Sequence, residues 1–359
     1  MRTPVAILGA TGLVGQVFVE RLATHALFRP AELIASPELA GRAYGDVVAW
    51  QRPTPLPAEV AGLELIAAPE ELASKLAFSA LDASVAAELE GRYADAGAFV
   101  FSNAASHRMD PDVPLVVPEV NAEHLALAAA QARPGAIVTN PNCSTIGLTL
   151  VLAPLARAFG LRRASVVSLQ ARSGAGLKNG RLMELENNVI PFIGGEEEKL
   201  ATETQKIMGT LRESGSTLSI EPATLEVSAT CTRVPVDHGH TLCLSVELER
   251  AASHGEVHAA LASFRARPQE LSLQSAPARP LRVFDAPDFP QPALHADLEG
   301  GMASAVARLR PDALFGEARD VSPRRGWKLV TLSHNLVRGA AGGSILNAEL
   351  AIATGTLVL

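Results

Sequence analysis

The sequence predicts an α/β protein in which a doubly wound parallel sheet is followed by a second, α+β domain with a mixed sheet. Two observations lead to this prediction. Over about the first 140 residues, short apolar runs alternate with helix-period stretches, as in a parallel sheet covered by helices. After Asn142 this alternation stops, and strand-like and helical segments follow in no regular order.

The first domain opens with the order strand, glycine turn, helix, strand. The corresponding segments are residues 5–8, the turn GATGLVG at 9–15, residues 16–24 and residues 32–35. We expect four further strands in the later apolar runs, at 63–67, 76–80, 98–101 and 115–117. Together these segments predict the parallel sheet.

The second domain shows both periodicities. Helices are predicted at 144–159 and 196–211, and strands at 165–170, 224–236 and 241–248, the last two as neighbours in the sheet. Residues 268–292, rich in Pro and Ala, predict a surface connection. The small residues at 339–343 lead into a predicted helix at 344–354 that is suited to close packing.

Composition excludes several function classes. The chain has 359 residues, 31 Lys and Arg against 38 Asp and Glu, and a formal charge of −7, with no basic run that would bind a phosphate backbone. No apolar stretch has the roughly 18 residues that a membrane span needs. Three cysteines are too few for a disulfide framework and indicate a reducing compartment. We therefore expect a soluble cytoplasmic protein with no nucleic-acid or membrane partner, and we predict no metal site.

The glycine turn predicts a dinucleotide site. Gly9, Gly12 and Gly15 have the spacing GxxGxxG between a strand and a helix, which lets a pyrophosphate approach the backbone and the positive helix N-terminus. This is a Rossmann-type arrangement. An NAD site usually has an acidic residue at the end of the second strand, whereas here Ser36 stands there and Arg42 follows. The hydroxyl and the guanidinium favour a 2′-phosphate and therefore NADP, although Glu38 lies in the same loop.

Cys143 is the candidate nucleophile. It follows Pro141 and Asn142 at the predicted start of a helix, where the helix dipole favours a thiolate. Cys231 and Cys243 lie in strand-like runs and are interpreted as buried structural cysteines.

Nine histidines compete to be the proton partner of that thiol. His240 stands out because it lies in a tight turn between two predicted strands, close to Arg233. Spacing alone does not separate His240 from three other candidates, which are His238, His107 and His334. We expect the reaction rate to follow an ionisation in the range that imidazoles occupy.

Other charged residues could recognise an anionic substrate. Arg108 follows a predicted strand end, where parallel sheets present ligand-binding loops. Glu196 and Lys199 are three residues apart at a predicted helix start and so share one face. Such a pair is also typical of a surface salt bridge.

Taken together, the motifs resemble the aspartate-semialdehyde dehydrogenase family, and its archaeal and fungal branch in particular. The matching segments run in family order and cover nearly the whole chain: GATGLVGQ, SNAASHR, NPNCSTI, QARSGAG, NVIPFIGGEEEK, CTRVPVDHGHT and HNLVRGAAGGSILNAEL. The pair PNCST and RVPVxxGHT is specific. Two positions depart from the family pattern: residues 37–40 replace a serine-bearing stretch, and His238 adds an imidazole beside the catalytic turn.

The resemblance implies reduction of L-aspartyl 4-phosphate by NADPH, with release of inorganic phosphate, on the way to lysine, threonine and methionine. It implies that Cys143 forms a thioester, that His240 is the acid/base and that Gln170 orients the carbonyl. It further implies that Arg233 binds the substrate carboxylate, Glu196 its amino group, and Arg108 with Lys199 the phosphate. Cofactor contacts implied in this way are Thr11, Gly12, Val14, Ser36, Ser173, Gly174 and Asn335.

The resemblance also implies a domain division and an assembly. Residues 1–142, completed by a C-terminal helix at 335–359, would form the NADP-binding domain, and residues 143–334 the catalytic and dimerisation domain. We expect a homodimer or a homotetramer.

Three other hypotheses compete with this one. A malonyl-CoA reductase would keep the fold and the thioester, but its substrate has no amino group for Glu196 to bind. N-acetylglutamyl-phosphate reductase fits less well because its cysteine motif differs from NPNCST. A catalytically silent NADP-binding protein would bind the cofactor without a reactive thiol.

Overall fold

A computed structural model describes residues 2–176, 185–215, 217–315 and 322–358. Met1 and Leu359, the ends of two predicted domain segments, lie outside the described residues. The first sheet has six parallel strands in the order β3-β2-β1-β4-β5-β6, which is the order of a Rossmann-type sheet. Its strands are β1 (Thr3–Leu8), β2 (Phe28–Ile34), β3 (Leu65–Ile66), β4 (Leu76–Ser79), β5 (Phe99–Ser102) and β6 (Ala136–Thr139).

Six helices belong to this part of the chain: α1 (Leu13–Ala23), α2 (Tyr44–Val47), α3 (Ala58–Ala61), α4 (Ala83–Asp95), α5 (Pro118–Asn121) and α6 (Ala126–Ala130). The strand predicted at 115–117 is wrong. Leu115 makes only an isolated bridge to Thr139, because β6, which was not predicted, occupies the place beside β5.

The second sheet is mixed, with the order β10-β7-β11-β14-β13-β12, so the predicted fold class is confirmed. The strands of the second half are β7 (Leu161–Gln170), β8 (Thr210–Ser214), β9 (Thr217–Glu221), β10 (Glu226–Arg233), β11 (His240–Ala252), β12 (Leu281–Phe284), β13 (Ser304–Pro311) and β14 (Arg324–Ser333). Its helices are α7 (Cys143–Phe159), α8 (Glu196–Ile207), α9 (His254–Ala262), α10 (Arg267–Glu270), α11 (Pro292–His295) and α12 (Gly342–Ala353). Strands β8 and β9 form a separate hairpin.

Three expectations for the second half are wrong. The strands β10 and β11 are not neighbours, because β7 lies between them and pairs with both. The segment 268–292 is not only a connection, since it contains β12. Cys243 is exposed rather than buried: it pairs in register with Val167, which is 40% exposed, on the open face of the sheet, whereas Cys231 is buried.

The two halves meet around α7 and the C-terminal segment. α7 continues directly from the end of β6 and packs against strands of the second sheet and against α8. α12 returns to the first sheet, where it packs against α1, α5 and β5. Its apolar residues Ile345, Leu346 and Leu350 are buried in the same core as Val5 and Phe18. Among the helices of the described ranges, none is long and apolar enough to cross a membrane.

Close backbone approach explains the spacing of the glycine turn. Gly9 has a φ of +77°, and a Cβ there would lie 2.8 Å from the carbonyl oxygen of Ala80. A Cβ on Gly15 would lie 2.2 Å from the carbonyl oxygen of Gly9, so only glycine lets α1 begin this close to β1. The first and last glycines therefore fix the turn, which leaves Gly12 as the N-terminal cap of α1.

We expect Gly15→Ala to destabilise the protein by about 1–3 kcal/mol, because the methyl group must displace the backbone of the turn. The free energy of unfolding in urea measures this, and the dissociation constant for the dinucleotide expected at this turn should rise as well. Gly91→Ala is the control: Gly91 lies inside α4, and no atom beyond its own stretch of helix lies within 4 Å of the position that a Cβ would take, so the change should stabilise by up to about 1 kcal/mol. Equal stability of the two variants would contradict the close-approach argument.

Candidate active site

The candidate nucleophile lies at the junction between the two sheets. Cys143 is the first residue of α7, and Asn142 caps this helix by accepting a hydrogen bond from the amide of Ser144. The sulfur atom of Cys143 lies 3.1 Å from Nε2 of His240, the first residue of β11. The structure thus brings together two groups that lie 97 positions apart in the sequence.

A backbone amide on the side away from Cys143 orients the imidazole of His240. The amide of Ala171 donates a hydrogen bond to Nδ1 of His240 at 3.0 Å. Because Nδ1 accepts, the neutral ring carries its proton on Nε2, which faces the sulfur of Cys143. The arrangement therefore presents an N–H to the sulfur and to whatever forms next to it.

Burial keeps both partners neutral in the unliganded protein. Burial, and then the charge of Glu196, raise the pKa of the Cys143 thiol to about 12, although Arg108, Arg233 and the amide of Ser144 act in the opposite direction. Burial, then Arg233 and His334, lower the pKa of His240 to about 3. Desolvation thus acts against the thiolate that the helix N-terminus favours. The expected imidazole ionisation is likewise displaced from its usual range.

The polar residues predicted around the nucleophile converge on it. One carboxylate oxygen of Glu196 accepts from the side-chain amides of Asn142, at 2.7 Å, and Gln170, at 3.3 Å. Its other oxygen binds Nζ of Lys199 at 3.1 Å. Glu196 thus brings its negative charge beside Asn142 at the start of α7, in agreement with its effect on the thiol.

The two arginines are buried and differently engaged. Arg233 donates to the carbonyl of Ala171 at 2.8 Å. Arg108 donates to the carboxylate of Glu203 at 2.9 Å and to the carbonyl of Asn103 at 2.6 Å. Its Nε is buried, and no hydrogen-bond partner for it exists among the described residues. Arg108 and Lys199, expected to share one anion, are thus bound here to two different carboxylates.

The loop with Ser173 and Gly174, which is expected to hold the cofactor, contacts the turn that leads to His240. Ser173 Oγ accepts from the amide nitrogen of Asn335 at 2.9 Å and lies 3.1 Å from Nδ1 of His238, and Asn335 also accepts from the amide of Gly239. A Cβ on Gly174 would lie 2.7 Å from Nη1 of Arg233 and 3.0 Å from Cε1 of His240, so a larger residue would have to displace these side chains.

His238 and His240 face different partners. The ring of His238 stacks on His334 with 5.4 Å between centroids and lies near Ser173, whereas His240 meets the sulfur. His107, another candidate, binds Asp110 instead.

The remaining cofactor candidates lie at the carboxyl end of the first sheet. Thr11, Gly12 and Val14 are partly exposed around the start of α1, which has no acidic residue in its first turn. Ser36 caps a 3₁₀ turn after β2, and both Ser36 and Arg42 are exposed. No group of three His, Cys, Asp or Glu residues that could hold a metal occurs in the described part of the chain.

Sequence reasoning missed three residues of the site. Gln16 is buried behind the glycine turn, accepts from the amide of Gln51 and donates to the carbonyl of Thr11. Gly339 packs against Cys143, since a Cβ there would lie 2.7 Å from the Cβ of Cys143. Glu203 lies seven positions after Glu196 on one face of α8, and this helical spacing is the signal that could have revealed it.

We expect Cys143 to react slowly with iodoacetamide near pH 7 and to react faster with rising pH, without a plateau below about pH 10, because its thiol pKa is raised. Glu196→Gln should accelerate alkylation, since removal of the negative charge lowers this pKa. The rate is measured by mass spectrometry of the Cys143 peptide. Glu198→Gln, an exposed neighbour on the same helix, is the control. A plateau reached near pH 7 would show that the unliganded protein holds a thiolate.

Known proteins match both halves of the chain. The family model described as "Semialdehyde dehydrogenase, NAD binding domain" matches residues 4–128, and "Semialdehyde dehydrogenase, dimerisation domain" matches residues 152–338. The aspartate-semialdehyde dehydrogenase of Methanothermobacter thermautotrophicus is 45% identical over 352 residues, which is 96% of this chain and 98% of the relative. That of Schizosaccharomyces pombe is 41% identical, over 98% of this chain and 99% of the relative.

A solved structure agrees with these sequence matches. The aspartate-semialdehyde dehydrogenase of Candida albicans, solved with NADP, has a TM-score of 0.89 and 36% identity, and the match covers 99% of this chain and 100% of that one. The archaeal and fungal likeness seen in the motifs is thereby confirmed. The chain belongs to the aspartate-semialdehyde dehydrogenase family.

Proposed function

We propose that the protein reduces L-aspartyl 4-phosphate to L-aspartate 4-semialdehyde with NADPH and releases inorganic phosphate. The observation that carries this proposal is the contact between Cys143 and His240, surrounded by Arg108, Arg233 and Glu196. A nucleophile, a proton donor, two cations and one anion match an acyl phosphate that carries one carboxylate and one ammonium group. The names of the relatives support the same reaction.

The residues present fit a nicotinamide cofactor with a 2′-phosphate. The nearest atom to a Cβ on Gly12 would be 3.5 Å away, so the start of α1 is open to a ligand. Ser36 and Arg42 offer a hydroxyl and a cation where an NAD site usually has a carboxylate. Gly9, Thr11, Val14 and Gly15 would complete the pyrophosphate turn, and Ser173, Gly174 and Asn335 the loop facing the catalytic residues. Bound NADPH supplies a hydride to the acyl carbon.

Cys143 forms the covalent bond of the reaction. Its sulfur attacks the acyl carbon, the bond from this carbon to the phosphate oxygen breaks, and phosphate leaves with the electron pair. The thiol proton is taken up by the departing phosphate, which leaves as hydrogen phosphate, and the two arginines beside the thiol favour this loss. His240 offers its Nε2–H to the oxygen that gains charge when the acyl carbon becomes tetrahedral. Collapse of the reduced species returns the electron pair to sulfur and releases the aldehyde.

The substrate is held by opposite charges at both ends. We assign Arg233 to the substrate carboxylate, Glu196 to its ammonium group and Gln170 to the reacting carbonyl. Arg108 and Lys199 take the phosphate, and the buried Nε of Arg108 without an acceptor among the described residues supports this assignment.

Glu196 also discriminates between the alternatives. A carboxylate buried beside Gln170 suits a substrate with an amino group, whereas malonyl-CoA has none to bind it. A protein that only binds NADP has no use for a thiol held 3.1 Å from an imidazole.

We propose the domain division 1–142 with 335–359, and 143–334, and a homodimer or homotetramer. The return of α12 to the first sheet supports the division. The open face of the second sheet, where Val167 and Cys243 are exposed, supports assembly through that sheet, as does the match to a dimerisation domain. A cytoplasmic location is part of the proposal, since a catalytic thiol must stay reduced.

Phosphate-dependent oxidation of aspartate semialdehyde, followed by NADPH absorbance, tests the function. We expect turnover with NADP to exceed that with NAD. Cys143→Ala should abolish turnover and leave NADP binding nearly intact, because the cofactor rests on the glycine turn of the other domain. Cys231→Ala is the matched control and should keep most of the activity. Comparable rates in the Cys143 variant would remove the covalent mechanism.

The two anion sites should separate kinetically. Arg233→Lys loses the planar fork that grips a carboxylate, so the rate should fall about a hundredfold, which corresponds to roughly 2.7 kcal/mol. Arg108→Ala should raise the KM for inorganic phosphate more than the KM for the semialdehyde. The reverse order of these KM effects would show that the two arginines are exchanged in the assignment.

A further inference from the structure

We propose that Glu203 is a positioning residue that joins the phosphate site to the nucleophile. The inference rests on the proposed function for the identity of the anion, and it adds a residue to which the family resemblance assigns no role. Glu203 lies on α8, which also carries Glu196 and Lys199.

Both oxygens of the Glu203 carboxylate are engaged, each with a different segment. One accepts from Nη1 of Arg108 at 2.9 Å, and the other accepts from the backbone amide of Asn142 at 2.7 Å. Glu203 is only 2% exposed, so its charge needs these two donors to offset desolvation. The Glu203 carboxylate thus connects Arg108, which is assigned to the phosphate, with Asn142, the residue directly before Cys143.

The same helix fixes the backbone of the arginine loop. Lys206, three positions after Glu203, donates from Nζ to the carbonyls of Arg108, Asp110 and Val113 at 2.7–2.9 Å. Lys206 therefore holds the main chain of this loop, while Glu203 holds the guanidinium itself. The orientation of Arg108 is set by α8 and is not left to a free side chain.

The remaining contacts leave donors of Arg108 for an anion. Nη1 donates one N–H to Glu203 and Nη2 one to the carbonyl of Asn103, so each keeps a second N–H, and the buried Nε has no acceptor within the described ranges. A bound phosphate would complete this set. Because the Glu203 carboxylate binds both groups, a movement of the Arg108 guanidinium also shifts the backbone amide of Asn142. Cys143 is the next residue, so its sulfur moves as well.

A carboxylate is required because both partners are donors. A glutamine at 203 could accept from either Arg108 or Asn142 but would point its own N–H groups at the other. An aspartate would keep both acceptor oxygens on a stem that is one methylene shorter. Comparing glutamate, glutamine and aspartate at position 203 therefore tests the need for a charged double acceptor separately from the need for the full side-chain length.

The first experiment compares Glu203→Gln, Glu203→Asp and Glu198→Gln in phosphate-dependent oxidation. Glu198 is an exposed glutamate on the same helix and gives the same change of charge. We expect the KM for phosphate to rise about tenfold or more in Glu203→Gln, as expected for a lost charge-assisted hydrogen bond, while the KM for the semialdehyde and the NADP affinity change little. Glu203→Asp should recover part of the loss, and Glu198→Gln should match the parent protein.

A double-mutant cycle tests the link to Arg108. In an Arg108→Ala background, Glu203→Gln should add little to the KM for phosphate, because the pair acts as a unit. Fully additive effects would overturn the proposal, as would a Glu203→Gln variant with the phosphate KM of Glu198→Gln. If Glu203→Gln fails to fold, Glu203→Asp carries the test: a raised phosphate KM supports the proposal and an unchanged one overturns it.

A binding measurement separates this inference from the proposed reaction. Inorganic phosphate alone should slow the alkylation of Cys143 by iodoacetamide in the parent protein, and higher phosphate concentrations should be needed in Glu203→Gln. If the parent protein shows no turnover but Glu203→Gln still needs more phosphate than the parent for protection, the proposed reaction fails and the role of Glu203 stands. Equal protection in both proteins would refute the role of Glu203, whatever the turnover.

Discussion

The rest of the site is organised around a contact between two groups that burial keeps neutral. A thiolate and an imidazolium would be more reactive, but taking both charges out of water is costly. Here burial raises the pKa of Cys143 and lowers that of His240, so the resting pair meets without full charges. The charged neighbours then shift the pKa of the thiol: Arg108 and Arg233 favour loss of its proton, and Glu196 opposes it.

This balance explains why the carboxylates matter as much as the arginines. Glu196 holds Lys199 and the amides of Asn142 and Gln170, so a substrate ammonium group that binds to it also changes the field at the sulfur. In such a site, substrate binding and activation of the nucleophile are one electrostatic event. An unliganded protein with an inert thiol is also protected from oxidation and alkylation, which attack the thiolate.

Much of the fold could be read from the sequence where local pattern and tertiary structure agree. The glycine turn, α1, α7 and β7 have strong local signals and lie close to their predicted positions. Strand pairing was harder to predict. An apolar run such as 115–117 does not show whether it pairs with β5, and in the structure β6 pairs with β5 instead. The order of β10, β7 and β11 depends on long-range pairing that no local pattern contains.

In the site, too, features with a local sequence signal could be predicted and features that depend on long-range contacts could not. Cys143 and His240 stood out by their turns, and the family motifs supplied the partners around them. The exposure of Cys243 follows from the open face of a sheet, which a strand-like run cannot reveal. Nor could the raised pKa of Cys143 be read from its helix, because desolvation depends on segments remote in the chain. Glu203 is buried only because Arg108 and the amide of Asn142 meet it in space.

The return of α12 to the first sheet has a consequence for the order in which the molecule is made. Ile345, Leu346 and Leu350 fill the core around Val5 and Phe18, although more than 300 residues separate them along the chain. On the ribosome, part of the apolar core of the N-terminal half therefore remains uncovered until α12 emerges. Gly339, which packs against Cys143, arrives at the same late moment. Completion of the first domain and closure of the catalytic centre thus both depend on the synthesis of this one segment.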